Sequence, residues 1–101
     1  GTLSGGGKEI IAVGEDCLIG ANAGIGIALG NRCIVESGLY VTAGTKITIL
    51  DAKNQEVGTT KGVALSGKDD LLFRRNSQSG RVEVKPNGTA VVLNTDLHSN
   101  N

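Results

Sequence analysis

The chain has 101 residues, 16 of them glycine, and its only aromatic side chains are Tyr40 and Phe73. Ten basic and ten acidic residues cancel to a formal charge of zero, which removes the electrostatic footprint that nucleic-acid binding requires. No apolar run approaches the ~18 residues that span a bilayer and no signal-peptide pattern opens the chain, so the expectation is a cytoplasmic protein without membrane or nucleic-acid partners.

Residues 1–9, GTLSGGGKE, form a glycine-rich lead-in. Its GGGK resembles a phosphate loop only superficially. Thr2 stands where the first glycine of that motif belongs, and Glu9 replaces the hydroxyl residue that would hold magnesium.

From 10 to 49 the chain repeats every six residues. Val13, Ile19, Ile25, Leu29, Val35, Val41 and Ile47 recur at that spacing, broken once by a step of four between Ile25 and Leu29. Small or acidic residues follow them, among them Gly14, Gly20, Gly26, Gly30 and Glu36. Neither a helix nor an alternating strand has this period. A coil with three flat faces does, because each hexapeptide supplies one short parallel strand and one corner. The seven aliphatic residues are expected to point inward, and the near absence of aromatics suits a core of stacked aliphatics. Stacked repeats need roughly three or more units, and only about two coils are present. With no methionine and Gly1 first, the chain is therefore expected to begin inside a longer solenoid.

Cys17 and Cys33 occupy equivalent inward positions, and the shortened face at Ile25–Ala28 should place them on the same face of successive coils. They read as reduced, buried small hydrophobes. Two thiols and one histidine, His98 in the polar tail, do not make up the ligand set of a zinc site, so no metal site is expected. Gly24-Ile25-Gly26 lacks the third glycine of a dinucleotide fingerprint, since Leu29 stands there.

Beyond Ile49 the period is lost. Residues 46–52 and 56–65 read as extended segments around a turn at Asn54-Gln55. SGKDDLLF, 66–73, predicts a short helix capped by Ser66 with Asp69 and Asp70 in its first turn. RRNSQSG, 74–80, reads as a polar loop, and RVEVK and TAVVLN around Pro86-Asn87-Gly88 as a β-hairpin. Asn87-Gly88-Thr89 matches a glycosylation acceptor, but a turn already explains Asn-Gly. The tail ends in TDLHSNN. Two parts follow from this pass: a repeat region, 1–49, and a C-terminal extension with a short helix and a hairpin, 50–101. Arg74, Arg75, Asn76 and Ser77 are either surface charge or a phosphate-binding set, and the pattern alone does not choose between them.

GTLSGGG, CLIGANAGIGIALG, VESGLYVTAGT and LLFRRNS together resemble the C-terminal part of the tetrahydrodipicolinate N-succinyltransferase family, in the form found in actinobacteria. The resemblance implies an all-β, left-handed parallel β-helix, a homotrimer, and a coenzyme A thioester site between subunits. The implied reaction moves a succinyl group from succinyl-CoA to the amine of open-form tetrahydrodipicolinate in lysine and diaminopimelate synthesis. The family's catalytic glutamate, and the acidic residues that bind a cation at the trimer axis, belong to segments preceding Gly1. Carried over position by position, Gly1, Ser4 and Gly7 lie beside the acyl-CoA, and Ala28, Thr42 and Ala43 line the pantetheine channel. Lys61 and the Arg74–Ser77 stretch hold the phosphate-bearing end. Small side chains suit a channel where a thin arm lies close to backbone.

Acyl transfer also needs donors for the oxyanion, and Gly5–Gly7 can present unobstructed N–H groups; Gly7 is the candidate. No Ser–His or Cys–His pairing suggests an acyl-enzyme, so direct attack is expected. A single histidine argues against a carbonic anhydrase on this scaffold. A different CoA-dependent hexapeptide acetyltransferase, or a non-catalytic trimer-forming module, are the rival readings.

Overall fold

The computed structural model describes residues 11–88. Sequence expectations that rest on Gly1, Ser4, Gly7, Thr89 or His98 lie outside the described residues. Four two-residue strands come first: β1 Leu18–Ile19, β2 Gly24–Ile25, β3 Ile34–Val35 and β4 Tyr40–Val41. Longer ones follow: β5 Lys46–Leu50, β6 Glu56–Lys61, β7 Leu71–Arg75 and β8 Val82–Pro86.

The short strands stack in parallel. Leu18 and Ile19 pair with Ile34 and Val35, Gly24 and Ile25 with Tyr40 and Val41, and Val13 bridges Leu29. Every partner lies sixteen residues further on, a separation also spanned by the Glu15 N–H to Asn31 Oδ1 bond. Three such lines of pairing are what a three-faced repeat shortened by two residues requires. The corners need left-handed backbone, and Asp16, Asn22 and Arg32 supply it with φ near 60°. At one corner Arg32 forms two hydrogen bonds to Asp70, at 2.7 and 3.2 Å, and these hold the half-buried Asp70 carboxyl below its ordinary range.

Of the residues expected to point inward, Leu29, Val35, Val41 and Ile47 are buried. Ile25 packs against the same cluster half-buried, while Val13 and Ile19 are 47% and 38% exposed. Their side of the stack carries no further strand among the described residues. Ile27 falls outside the six-residue series yet is fully buried, because the shortened face brings it inward.

The chain leaves the stack after Val41 and later returns to it. β5 and β6 form an antiparallel pair whose turn is held by Asp51 Oδ1, which accepts bonds from the N–H groups of Lys53 and Gln55. The two extended segments of the sequence reading are thus present, although Gly62–Leu65 is a 3-10 turn rather than strand. Gly67 N–H then bonds Ala28 O, Asp70 N–H bonds Asn31 O, and β7 pairs in parallel with β3 through Ile34–Leu72 and Val35–Phe73.

The helix expected over 66–73 is therefore absent. Gly67 and Asp70 adopt φ of 80° and 60°, which no α-helix accepts, and Leu71 and Phe73 alternate inward at the period of a strand.

β8 fills the remaining place in the six-stranded sheet, ordered β1-β3-β7-β8-β5-β6; β2 and β4 form a second sheet. β8 runs antiparallel to β7 and parallel to β5. Both of its edges are occupied by β5 and β7, and the second arm of the hairpin expected between RVEVK and TAVVLN lies outside the described residues. The antiparallel partner of β8 is β7, and the 74–80 loop is the turn between them. A boundary at 49/50 falls within β5, and one buried cluster runs through Leu29, Val35, Val41, Ile47, Phe73 and Val84. No helix among the described residues is long and apolar enough to cross a membrane.

Candidate functional site

The return of the chain to the stack builds one corner from three separate segments. Thr42 N–H bonds Thr45 Oγ1 at 2.9 Å, and the two hydroxyls lie 2.9 Å apart. Val63 N–H bonds Ala43 O at 3.0 Å and Gly62 N–H bonds Thr45 O at 2.9 Å. Ala28 N–H donates to Ser66 Oγ at 3.1 Å. Gly62 has to be glycine for this contact, since a Cβ would run into the Thr42 carbonyl. Ala28 and the adjacent pair Thr42-Ala43 thus meet around the 62–67 turn, with Lys61 immediately before it. All three are half-buried.

The Arg74–Ser77 group is organised differently. Arg74 Nε bonds Glu83 Oε1 at 3.0 Å, and Asn76 Nδ2 bonds Glu83 Oε2 at 3.2 Å. Glu83 is 3% exposed, so these two bonds take the place of water at its carboxylate oxygens. Asn76 Oδ1 accepts from the N–H groups of Gln78 and Ser79 and so shapes the turn. Arg75 donates through its side chain to Gly80 O at 2.7 Å and through its backbone N–H to Glu36 Oε1 at 3.0 Å. Ser77 is exposed at the tip. The residues are brought together, with Arg74 and Asn76 engaged by a carboxylate that the sequence reading did not single out. A lone acid between two valines in a strand pattern was the available signal for Glu83.

Lys61 lies at the same end of the sheet as this turn, three strand spacings away, or about 14 Å. Lys46, directly opposite Lys61 in the β5–β6 register, was likewise missed.

Cys17 and Cys33 are free thiols in register-equivalent places, with Sγ bonded to Gly30 O at 3.1 Å and to Lys68 O at 3.3 Å. Burial pushes the Cys33 thiol up. Since the thiolate is the reactive form, Cys33 is expected to resist iodoacetamide in the folded protein at pH 8 and to react once urea unfolds it. Rapid labelling of Cys33 in the native state, read by peptide mass spectrometry, contradicts its place in the core. Among the described residues no group of three or more His, Cys, Asp or Glu side chains is placed to hold a metal ion.

Residues 10–43 match the family model described as the hexapeptide repeat of succinyl-transferase. Over all 101 residues the chain is 63% identical to 2,3,4,5-tetrahydropyridine-2,6-dicarboxylate N-succinyltransferase of Pseudomonas aeruginosa. It is 57% identical, again over its whole length, to the protein of the same name from Vibrio cholerae. The chain belongs to this family. It spans 29% of the length of these two N-succinyltransferases. A crystal structure from Campylobacter jejuni, provisionally named a 2,3,4,5-tetrahydropyridine-2-carboxylate N-succinyltransferase, superposes with a TM-score of 0.72 at 40% identity. That match covers 84% of this chain and 25% of the other. These N-succinyltransferase relatives come from Pseudomonas, Vibrio and Campylobacter, so they carry the family and not the actinobacterial form of it.

Proposed function

We propose that this chain is the coenzyme-A-binding C-terminal part of an enzyme that transfers a succinyl group from succinyl-CoA to the amine of tetrahydrodipicolinate (2-amino-6-oxopimelate), a cytoplasmic step of lysine and diaminopimelate synthesis. The observation that carries the reading is the 63% identity over the entire chain to a named N-succinyltransferase. The parallel stacking at a constant offset supports a left-handed β-helix, and the family supports a homotrimer with its site between subunits.

In this reading the pantetheine arm lies along the corner of Ala28, Thr42 and Ala43. Main-chain groups and small side chains there let it approach closely. Gly1, Ser4 and Gly7 flank the acyl end, and the Gly7 N–H donates to the oxygen that gains charge when the amine attacks the thioester carbonyl. Lys61, Arg75 and Ser77 face the phosphate-bearing end. Arg74 and Asn76 act there mainly by holding the turn against Glu83. A base accepts the proton of the attacking amine, and the bond to sulfur breaks to release coenzyme A. The residues described here offer no ligand set for a cation at the trimer axis, and no step runs through one.

Titration calorimetry of the intact protein with succinyl-CoA, acetyl-CoA and free CoA, followed by an assay of acceptor succinylation, tests the reading. Binding of succinyl-CoA with transfer to tetrahydrodipicolinate is expected. Preference for acetyl-CoA assigns a different acyl donor, and binding of none of the three leaves a non-catalytic module.

A further inference from the structure

Lys46 and Lys61 are register partners on the antiparallel strands β5 and β6. Residues directly opposite each other share a face of the sheet, with Cβ atoms roughly 4.5–5.5 Å apart. Both lysines are exposed. Among the described residues, Arg32, Arg74 and Arg81 each have an acidic partner within 4 Å, and neither lysine has one. Like charges directly opposite destabilise a strand pair, so this pair is a local cost to the folded chain unless an anion lies between the two ammonium groups. Thr59, two residues before Lys61 on the same face and also exposed, adds a neutral hydroxyl donor beside them.

The place of the pair in the fold narrows the anion. Lys46 follows Thr45, whose hydroxyl is bonded to Thr42, and Lys61 precedes Gly62, which packs on the Thr42 carbonyl. Each lysine is therefore one residue from the corner assigned above to the pantetheine arm. A ligand running along Ala28, Thr42 and Ala43 and out of that corner meets both ammonium groups together. A phosphate monoester carries a charge of about −1.5 to −2 near neutral pH, enough to offset both lysines, whereas each phosphate of an internal diphosphate carries about one. Lysine binds phosphate as a compact point charge, without the bidentate geometry that arginine imposes.

We propose that Lys46 and Lys61 form a two-ammonium clamp for a terminal phosphate monoester, the 3′-phosphate of the acyl-CoA. The identity of the ligand rests on the function proposed above; Lys46 as a binding residue and the monoester as its target are additional to it.

The test uses the intact protein with Lys46→Gln and Lys61→Gln, titrated with CoA and with dephospho-CoA, which lacks only the 3′-phosphate. Wild type is expected to prefer CoA. Each variant should bind CoA about tenfold more weakly, equivalent to ~1.4 kcal/mol, with dephospho-CoA changed less than about twofold. The unliganded thermal midpoint should stay level or rise, because the repulsion is gone. Equal weakening of both ligands overturns the monoester assignment, and wild-type affinity of Lys46→Gln for CoA overturns the clamp. Either result leaves the acyl-CoA reading standing if wild type binds both ligands, whereas failure of wild type to bind CoA or dephospho-CoA overturns both proposals.

Discussion

Val35→Asp is expected to abolish folding of the chain or to lower its stability by several kcal/mol, as far as any single substitution here. Val35 is 1% exposed and lies on β3 between Ile19 of β1 and Phe73 of β7. A carboxylate at that place has aliphatic and aromatic neighbours on either side and no cation within the cluster. A domain is stable by only about 5–15 kcal/mol, so a penalty of this size approaches the whole margin. Val35→Ala separates the charge from the lost volume, since it leaves a small cavity and no ion. Val13→Asp gives the internal comparison: it occupies the same repeat position but is 47% exposed in this chain, and its cost should be far smaller. Urea denaturation followed by circular dichroism measures all three. A Val35→Asp protein with the wild-type midpoint would mean that the repeat register is misassigned.

The repeat was legible because its physics is local and periodic. One aliphatic side chain in every six, with a small residue after it, specifies a strand and a corner without reference to the rest of the chain. The four-residue step between Ile25 and Leu29 was enough to place Cys17 and Cys33 in equivalent positions and to shorten the circuit to sixteen residues. What the same reading missed after Ile49 depends on contacts distant in sequence. SGKDDLLF has the cap and acidic first turn of a helix, but Leu72 and Phe73 gain more by pairing with Ile34 and Val35, thirty-eight residues away, than a single helical turn offers. Val82–Pro86 has the alternation of a strand, but only register shows that it lies between β5 and β7. The candidate site divides the same way. Ala28, Thr42 and Ala43 were reached through motif resemblance, and the structure draws them into one corner. Lys46 is visible only once strand register puts it opposite Lys61, and Glu83, a lone acid between two valines, gains its partner only when register puts it opposite Arg74.

That last pairing sets the other large effect. Arg74→Ala should destabilise the chain by about 3 kcal/mol, the lower end of what breaking a buried ion pair costs, because Arg74 itself is one-third exposed. Glu83 would be left without its cation at 4% side-chain exposure, with the Asn76 amide as its remaining side-chain donor among the described residues. The exposed pair Arg81–Glu56, with side chains 56% and 46% accessible, is the control, and Arg81→Ala should cost less than about 1 kcal/mol. Arg74→Met combined with Glu83→Leu should recover most of the loss, since two apolar side chains leave no ion behind. Urea midpoints at neutral pH decide the matter. If Arg74→Ala keeps the wild-type midpoint but binds coenzyme A tenfold or more weakly, the guanidinium serves the ligand directly and its bond to Glu83 is incidental. If stability falls and the double variant restores both midpoint and affinity, Arg74 contributes to binding by fixing the turn that carries Arg75, Asn76 and Ser77.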